Sequence, residues 1–115
     1  MKKIICFDLD NSLCKTSKNL YRYSKPIKKN IKVVNDLYDK GCIIKIFTSR
    51  FMGRSKENQK LAKKKGHKLT LNQLSKWKVK YHKLLLGKPS YDLIIDDKAL
   101  GYDKNWSNKL KNLFK

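Results

Sequence analysis

Residues 4–12 read Ile4-Ile5-Cys6-Phe7-Asp8-Leu9-Asp10-Asn11-Ser12. Four apolar residues follow one another without a break, and an aspartate ends the run. A short continuous run of this kind fits a strand buried on both faces, as in a parallel sheet. The same pattern recurs downstream. Cys42 to Phe47 is a second strand and leads into Thr48-Ser49-Arg50. Leu84-Leu85-Leu86 is a further strand, broken by Gly87-Lys88-Pro89, and Tyr91-Asp92-Leu93-Ile94-Ile95 runs into Asp96-Asp97. In an open parallel sheet the carboxyl ends of the strands form the ligand crevice. The spacing therefore predicts two acidic pairs converging at one edge.

Helical patterns lie between these runs. Residues 11–25 are polar and read as a loop, after which Pro26 is placed to open a helix. Ile27, Ile31, Val34, Leu37 and Tyr38 define its apolar face, and Gly41 stops it. Ser55 is read as the cap of a lysine-rich helix through Lys65, ended by Gly66. Lys68-Leu69-Thr70 reads as a short strand or linker. Leu71, Leu74, Trp77 and Tyr81 fit another helix, and Trp106, Leu110, Leu113 and Phe114 a last one. This alternation predicts an α/β fold: one Rossmann-like three-layer α/β/α domain over residues 1–115, with a mainly parallel sheet and helices on both faces.

Composition narrows the class. At 115 residues the chain supports one core, and 40% hydrophobic residues spread along it exclude a disordered chain. The formal charge of +20 attracts anions such as nucleic acid, acidic membranes or phosphorylated metabolites. Two readings stand: a general lysine bias, or a surface selected for polyanions. Arg22, Arg50 and Arg54 are the only arginines, which weighs against a base-reading protein. Cys6, Cys14 and Cys42 show no CxxC spacing, which argues against a zinc site or disulfide framework and for a reducing compartment. The opening run meets Asp8 too early for an export signal, and no segment has the length of a membrane span. A cytoplasmic protein is expected.

Four converging carboxylates repel one another. A divalent cation relieves that cost, and hard oxygen ligands select magnesium. A carboxylate beside such a metal can attack phosphorus, and a second can protonate the leaving oxygen and then activate water.

These residues carry a resemblance. Phe7-Asp8-Leu9-Asp10-Asn11-Ser12 resembles the first motif of the haloacid dehalogenase superfamily, an apolar strand followed by DxDxT, with Asn11 and Ser12 where Gly and Thr are common. Ile46-Phe47-Thr48-Ser49 resembles its second motif, Gly87-Lys88-Pro89 its third, and Ile94-Ile95-Asp96-Asp97 its fourth. The resemblance implies Asp8 as nucleophile and Asp10 as general acid/base, with Asp10 meeting the metal through its backbone carbonyl. It implies Thr48 as phosphate binder, Lys88 as the neutralising cation, Asp96 as a direct magnesium ligand, and Asp97 as a direct or water-bridged one. Ser12, Ser49, Arg50 and Lys98 stand where they would meet substrate. The stretches GKPSYDLIIDDKA and FTSRFMGRS further resemble small phosphatase-like proteins encoded with capsular or surface polysaccharide genes.

Neither gap between motifs has room for a cap domain. A capless site is open, so such members act on large substrates or borrow a neighbouring subunit as a lid. The expected function is magnesium-dependent hydrolysis of a sugar phosphate or similar metabolite. A nucleic-acid end phosphatase and a non-catalytic binding module are the alternatives, and the open site is compatible with a homo-oligomer.

Overall fold

The structure, a computed structural model, describes residues 2–114. In chain order its elements are β1 (Ile4–Asp8), the two-residue strands β2 (Cys14–Lys15) and β3 (Lys25–Pro26), α1 (Lys28–Asp39), β4 (Ile43–Thr48), α2 (Gln59–Lys76), β5 (Lys83–Leu86) and α3 (Trp106–Leu113). β1, β4 and β5 form one parallel sheet in that order, with Ile4 opposite Ile43 and Lys45 opposite Lys83. β2 and β3 pair antiparallel within the loop after β1. This is a small α/β domain with a parallel sheet, the class read from the alternation of apolar runs. The gaps between motifs hold only the β2–β3 ribbon, α1, short turns and α2. Among the described residues no helix is long and apolar enough to cross a membrane.

The core lies between the sheet and the helices. Ile44 and Ile46 of β4 are fully buried against Val34 and Leu37 of α1, Leu74 of α2 and Trp106 and Leu110 of α3. The Trp106 ring lies 6.0 Å from that of Phe7 in β1. Ile31, Val34 and Leu37 repeat at the spacing that keeps one stripe of α1 inward. Gly41, at φ 97°, ends the helix in the left-handed region where a glycine costs least.

Three elements differ from the sequence reading. First, the helical signals on either side of Gly66 belong to one helix. Its cap is Asn58, whose side chain accepts from the Leu61 amide at 3.1 Å, rather than Ser55. Gly66 sits in its interior because the Phe51 ring packs there; a Cβ would stand 2.3 Å from that ring. Trp77 and Tyr81 lie beyond the helix end and pack against the core from the loop.

Second, residues 91–95 form no strand. Ser90 is tied to Glu57 through its amide and hydroxyl, which anchors the chain on the β5 side. The run beyond it stays exposed, Ile95 to 91%. Third, the helices share one face. β1, β4 and β5 step in a single direction, and right-handed crossovers in one direction put their helices on the same side. Without a strand on the outer edge of β1 there is no crossover the other way. The opposite face carries Ile4, Cys6, Ile43, Phe47 and Leu85 with no helix over it among the described residues.

Gly66→Ala tests the close approach of α2 to Phe51. Helix propensity alone predicts a gain of about 1 kcal/mol. The contact predicts a net loss of about 1–3 kcal/mol from overpacking, read as a lower urea midpoint at unchanged slope.

Candidate active site

The site is built at the carboxyl edge of the sheet. Leu9 is fully buried and its carbonyl accepts from the amides of Ser12, Leu13 and Cys14, which closes a tight turn directly after β1. Anchoring the middle residue of Asp8-Leu9-Asp10 in the core turns both flanking carboxylates toward the edge. Asn11 occupies the left-handed region at φ 63°, a conformation Asn adopts more readily than most residues. Asn therefore fits this turn position without a glycine.

Asp8 and Lys88 meet here. Gly87, at φ 101°, turns the chain at the end of β5, and the Lys88 amide donates to the Thr48 carbonyl at 3.2 Å. The Lys88 side chain then reaches across the end of β4 and places Nζ 3.5 Å from Asp8 Oδ1. The Lys88 side chain is 14% exposed and that of Asp8 41%. Burial is the main force raising the Asp8 carboxyl above its ordinary value of 3.8; Lys88 and the Leu9 amide pull it down without cancelling the rise, and Asp10 adds to it. Lys88 is itself raised: burial pushes it down, and Tyr91 and Asp8 together push it up further. The Lys88 ammonium also stands over the Tyr91 ring, 5.2 Å from its centroid.

Asp10 belongs to a different environment. Arg50 is completely buried, and its guanidinium clasps Asp10, with Nε 3.1 and 3.0 Å from the two carboxylate oxygens and Nη2 2.9 Å from Oδ1. Nη1 donates to Thr70 and Gln73 of α2, and Nη2 also to Ser24 at 3.2 Å. Gln73 in turn donates to the Tyr21 carbonyl at 2.6 Å, and the Tyr21 ring lies 5.1 Å under the guanidinium carbon. Thr16 donates to Asp10 Oδ1 at 2.6 Å. Arg50 is therefore closed off from solvent and holds the second carboxylate in place. Phe51, directly after it, is held at φ 67°, a strained conformation for a bulky residue that the packing against Tyr21 and Gly66 over-determines.

The remaining predicted residues are distributed unevenly. Thr48 is 1% exposed and its hydroxyl accepts from the Arg50 amide at 3.1 Å, so it organises the strand end from beneath. Ser49 and Ser12 are half-buried in the adjoining turns. Asp96 and Asp97 are exposed and apart from this edge; the Asp96 carboxylate accepts from the Lys98 amide in a local turn, and Lys98 is exposed as well. Among the described residues no three His, Cys, Asp or Glu side chains come together as a metal site. Cys14, beside Asp10, has its thiol pushed up to about 11, mainly by burial and then by Asp10, and is inert as a nucleophile at neutral pH.

Sequence reading missed Thr16, Ser24, Thr70 and Gln73. The signal was present in α2, where Ala62, Gly66, Thr70 and Gln73 occupy the inward stripe. A buried stripe with no large apolar side chain for three turns implies a bulky partner, and here that partner is Arg50 with Phe51.

No family model matches the chain, and no curated protein does. Its structure is similar to the crystal structure of an MCSG target from Vibrio cholerae, at 25% identity over 98% of this chain and 99% of that one, with a TM-score of 0.80. It is also similar to part of a Pnkp1/Rnl/Hen1 complex, at 19% identity and TM-score 0.56 over 97% of this chain and 33% of the other. A Pnkp1/Rnl/Hen1 RNA repair complex matches at 18% identity and TM-score 0.55, over 99% of this chain and 32% of that one. These last two likenesses concern the fold.

Arg50→Met leaves Asp10, Thr70 and Gln73 without their common donor. A loss of about 3 kcal/mol or more in unfolding free energy is expected, the scale for breaking a buried pair. Arg50→Lys is expected to recover little of it, because an ammonium cannot reproduce the fork.

Proposed function

We propose that this chain hydrolyses phosphate monoesters with Asp8 as nucleophile, in the manner of the haloacid dehalogenase superfamily. The observation that carries the reading is the pairing at the sheet edge: an accessible carboxylate with a lysine 3.5 Å away, beside a second carboxylate held by a buried arginine. An oxygen of Asp8 attacks phosphorus, the ester P–O bond breaks, and the leaving oxygen takes a proton from Asp10. Water then attacks phosphorus, phosphate departs, and Asp8 is restored. Lys88 offsets charge on the phosphoryl group at both steps. Asp10, held in place by Arg50, serves as the general acid/base, giving its proton to the leaving oxygen and taking one from the attacking water.

Magnesium belongs to this proposal, with Asp8, the Asp10 carbonyl, Asp96 and Asp97 as its ligands. When bound it would neutralise charge on the phosphoryl oxygens. The described arrangement fits the ion in part, since Asp8 and Asp10 share the edge while Asp96 and Asp97 stand apart. β1 has an unpaired outer edge, and Leu93-Ile94-Ile95 has an unpaired backbone. Pairing the two in parallel would bring Asp96 to the end of β1. Of the expected substrate, a sugar phosphate or similar metabolite from polysaccharide synthesis, the edge itself addresses only the phosphate monoester.

Hydrolysis of para-nitrophenyl phosphate in the presence of magnesium tests the reading. Asp8→Asn is expected to lower kcat by about a thousandfold or more, while Asp96→Asn raises the magnesium concentration needed for half-maximal rate. Wild-type rates indifferent to the Asp8 substitution sink the reaction.

The pH dependence follows from the direction of the Asp8 shift. Without magnesium, the Asp8 carboxyl is expected to titrate above the ordinary aspartate value of 3.8, and Lys88→Met to move it higher by removing the cation that pulls Asp8 down. For stability, a raised carboxyl favours folding in its neutral form, and that contribution is lost as pH rises through the folded value. Asp8→Asn is therefore expected to be at least as stable as wild type at pH 7, measured by urea unfolding.

A further inference from the structure

The positive charge is not evenly matched by acids. α2 contains no Asp or Glu, and its inward stripe leaves one flank to Lys60, Lys63, Lys64, His67 and Lys68. These five residues line a shallow open groove of about 480 Å³. None of the four lysines forms an ion pair among the described residues, whereas Lys32, Lys80, Lys88 and Lys109 each do. The flank starts at the site. Gln59, the first residue of α2, donates to the Gly87 carbonyl at 3.2 Å, and Lys88 follows Gly87. Lys60, Lys64 and Lys68 then lie on successive turns running away from that edge. Over these eight residues the row extends about 12 Å, at a rise of 1.5 Å per residue. Three lysines spaced along that length can meet about three phosphates of a strand.

A compact metabolite bound at Asp8 does not reach such a row; a chain with repeated phosphates does. We propose that the lysine flank of α2 binds the backbone of a single-stranded nucleic acid whose terminal phosphate is presented to Asp8. This rests on the phosphate-ester reading of the edge and names its substrate class. An anionic membrane is the less suitable occupant: the flank is a line along one helix rather than a plane, and it carries no aromatic residue to insert.

A net charge of +20 produces some nucleic-acid binding from any surface, so the test compares positions at equal charge. Three full-length proteins are needed: wild type, Lys60→Glu/Lys64→Glu/Lys68→Glu on the flank, and Lys3→Glu/Lys40→Glu/Lys111→Glu on other elements. Circular dichroism checks folding, and the Gln versions of the flank substitutions replace the Glu versions if these fail to fold. Affinity for a 12-nucleotide single strand with a terminal phosphate, as DNA and as RNA, is read by fluorescence anisotropy across salt concentrations. The flank variant is expected to bind about tenfold or more weaker than the control variant, and its log–log salt slope to be shallower by about 2, three contacts at about 0.7 each. Its kcat/KM on the phosphorylated strand falls by a similar factor, while para-nitrophenyl phosphate turnover stays within about twofold of wild type.

Equal weakening in flank and control variants overturns the proposal, as does competition by phosphatidylserine vesicles that matches unlabelled strand. Rapid hydrolysis of the small ester with no hydrolysis of any phosphorylated strand also overturns it. Failure of the underlying reaction shows separately, as absence of turnover on the small ester, while the anisotropy comparison still decides whether the flank binds.

Discussion

A guanidinium removed from water needs partners for its donors, and that need organises this molecule. Arg50 is fully buried. Its donors go to Asp10 after β1, Ser24 before β3, and Thr70 and Gln73 on α2, and its own amide is fixed by the Thr48 hydroxyl. One side chain thereby ties the loop after the first strand to the end of the second and to the long helix. An isolated buried charge would cost several kcal/mol, so these segments cannot rearrange independently. The same constraint shapes α2. Thr70 and Gln73 face inward to receive Arg50, and Gly66 is small where the Phe51 ring and the helix must share space.

The consequence at the sheet edge is a division between two carboxylates one residue apart. Asp10 is matched by a fixed, bidentate cation and by the Thr16 hydroxyl. Asp8 has a single lysine at 3.5 Å and an open side toward solvent. Burial raises the Asp8 carboxyl and Lys88 only partly reverses the effect. Two identical side chains in different surroundings take different tasks. Under the proposed function, the one held rigidly would orient and move a proton, and the one left accessible would attack. The buried Leu9 between them keeps both at the edge.

Much of this was legible because apolar runs and their stops report directly on strands. The three paired strands, the apolar face of α1, its end at Gly41 and the final helix at Trp106 all follow from spacing. Asp8 and Lys88 were singled out by the resemblance of their motifs, and the two side chains stand 3.5 Å apart. Arg50 was legible as a site residue but not as a buried one, because its partners come from residues 10, 24, 70 and 73, which no local pattern joins. Gly66 reads as a helix stop wherever the Phe51 ring that requires it is unseen. The run at 91–95 has the residues of a strand, yet pairing depends on where Ser90 and Glu57 anchor its start, and that is a tertiary fact.

That unpaired run bears on how a cation would be held. Leu93, Ile94 and Ile95 are exposed, and β1 offers a free edge. Burying three such side chains contributes about 2 kcal/mol each. Fixing the backbone of five residues costs about 1–2 kcal/mol apiece. The two sums are of the same size, so the apolar run alone does not decide whether it joins the sheet. The deciding contribution falls to the carboxylates at its end. Bringing Asp96 and Asp97 beside Asp8, whose ionised form is already disfavoured by burial and by Asp10, adds repulsion unless a cation occupies the space between them. A divalent ion reverses the sign of that contribution. Under the proposed function, metal binding and the addition of a fourth strand would then be one coupled event, with the sheet extended only when the site is charged to react.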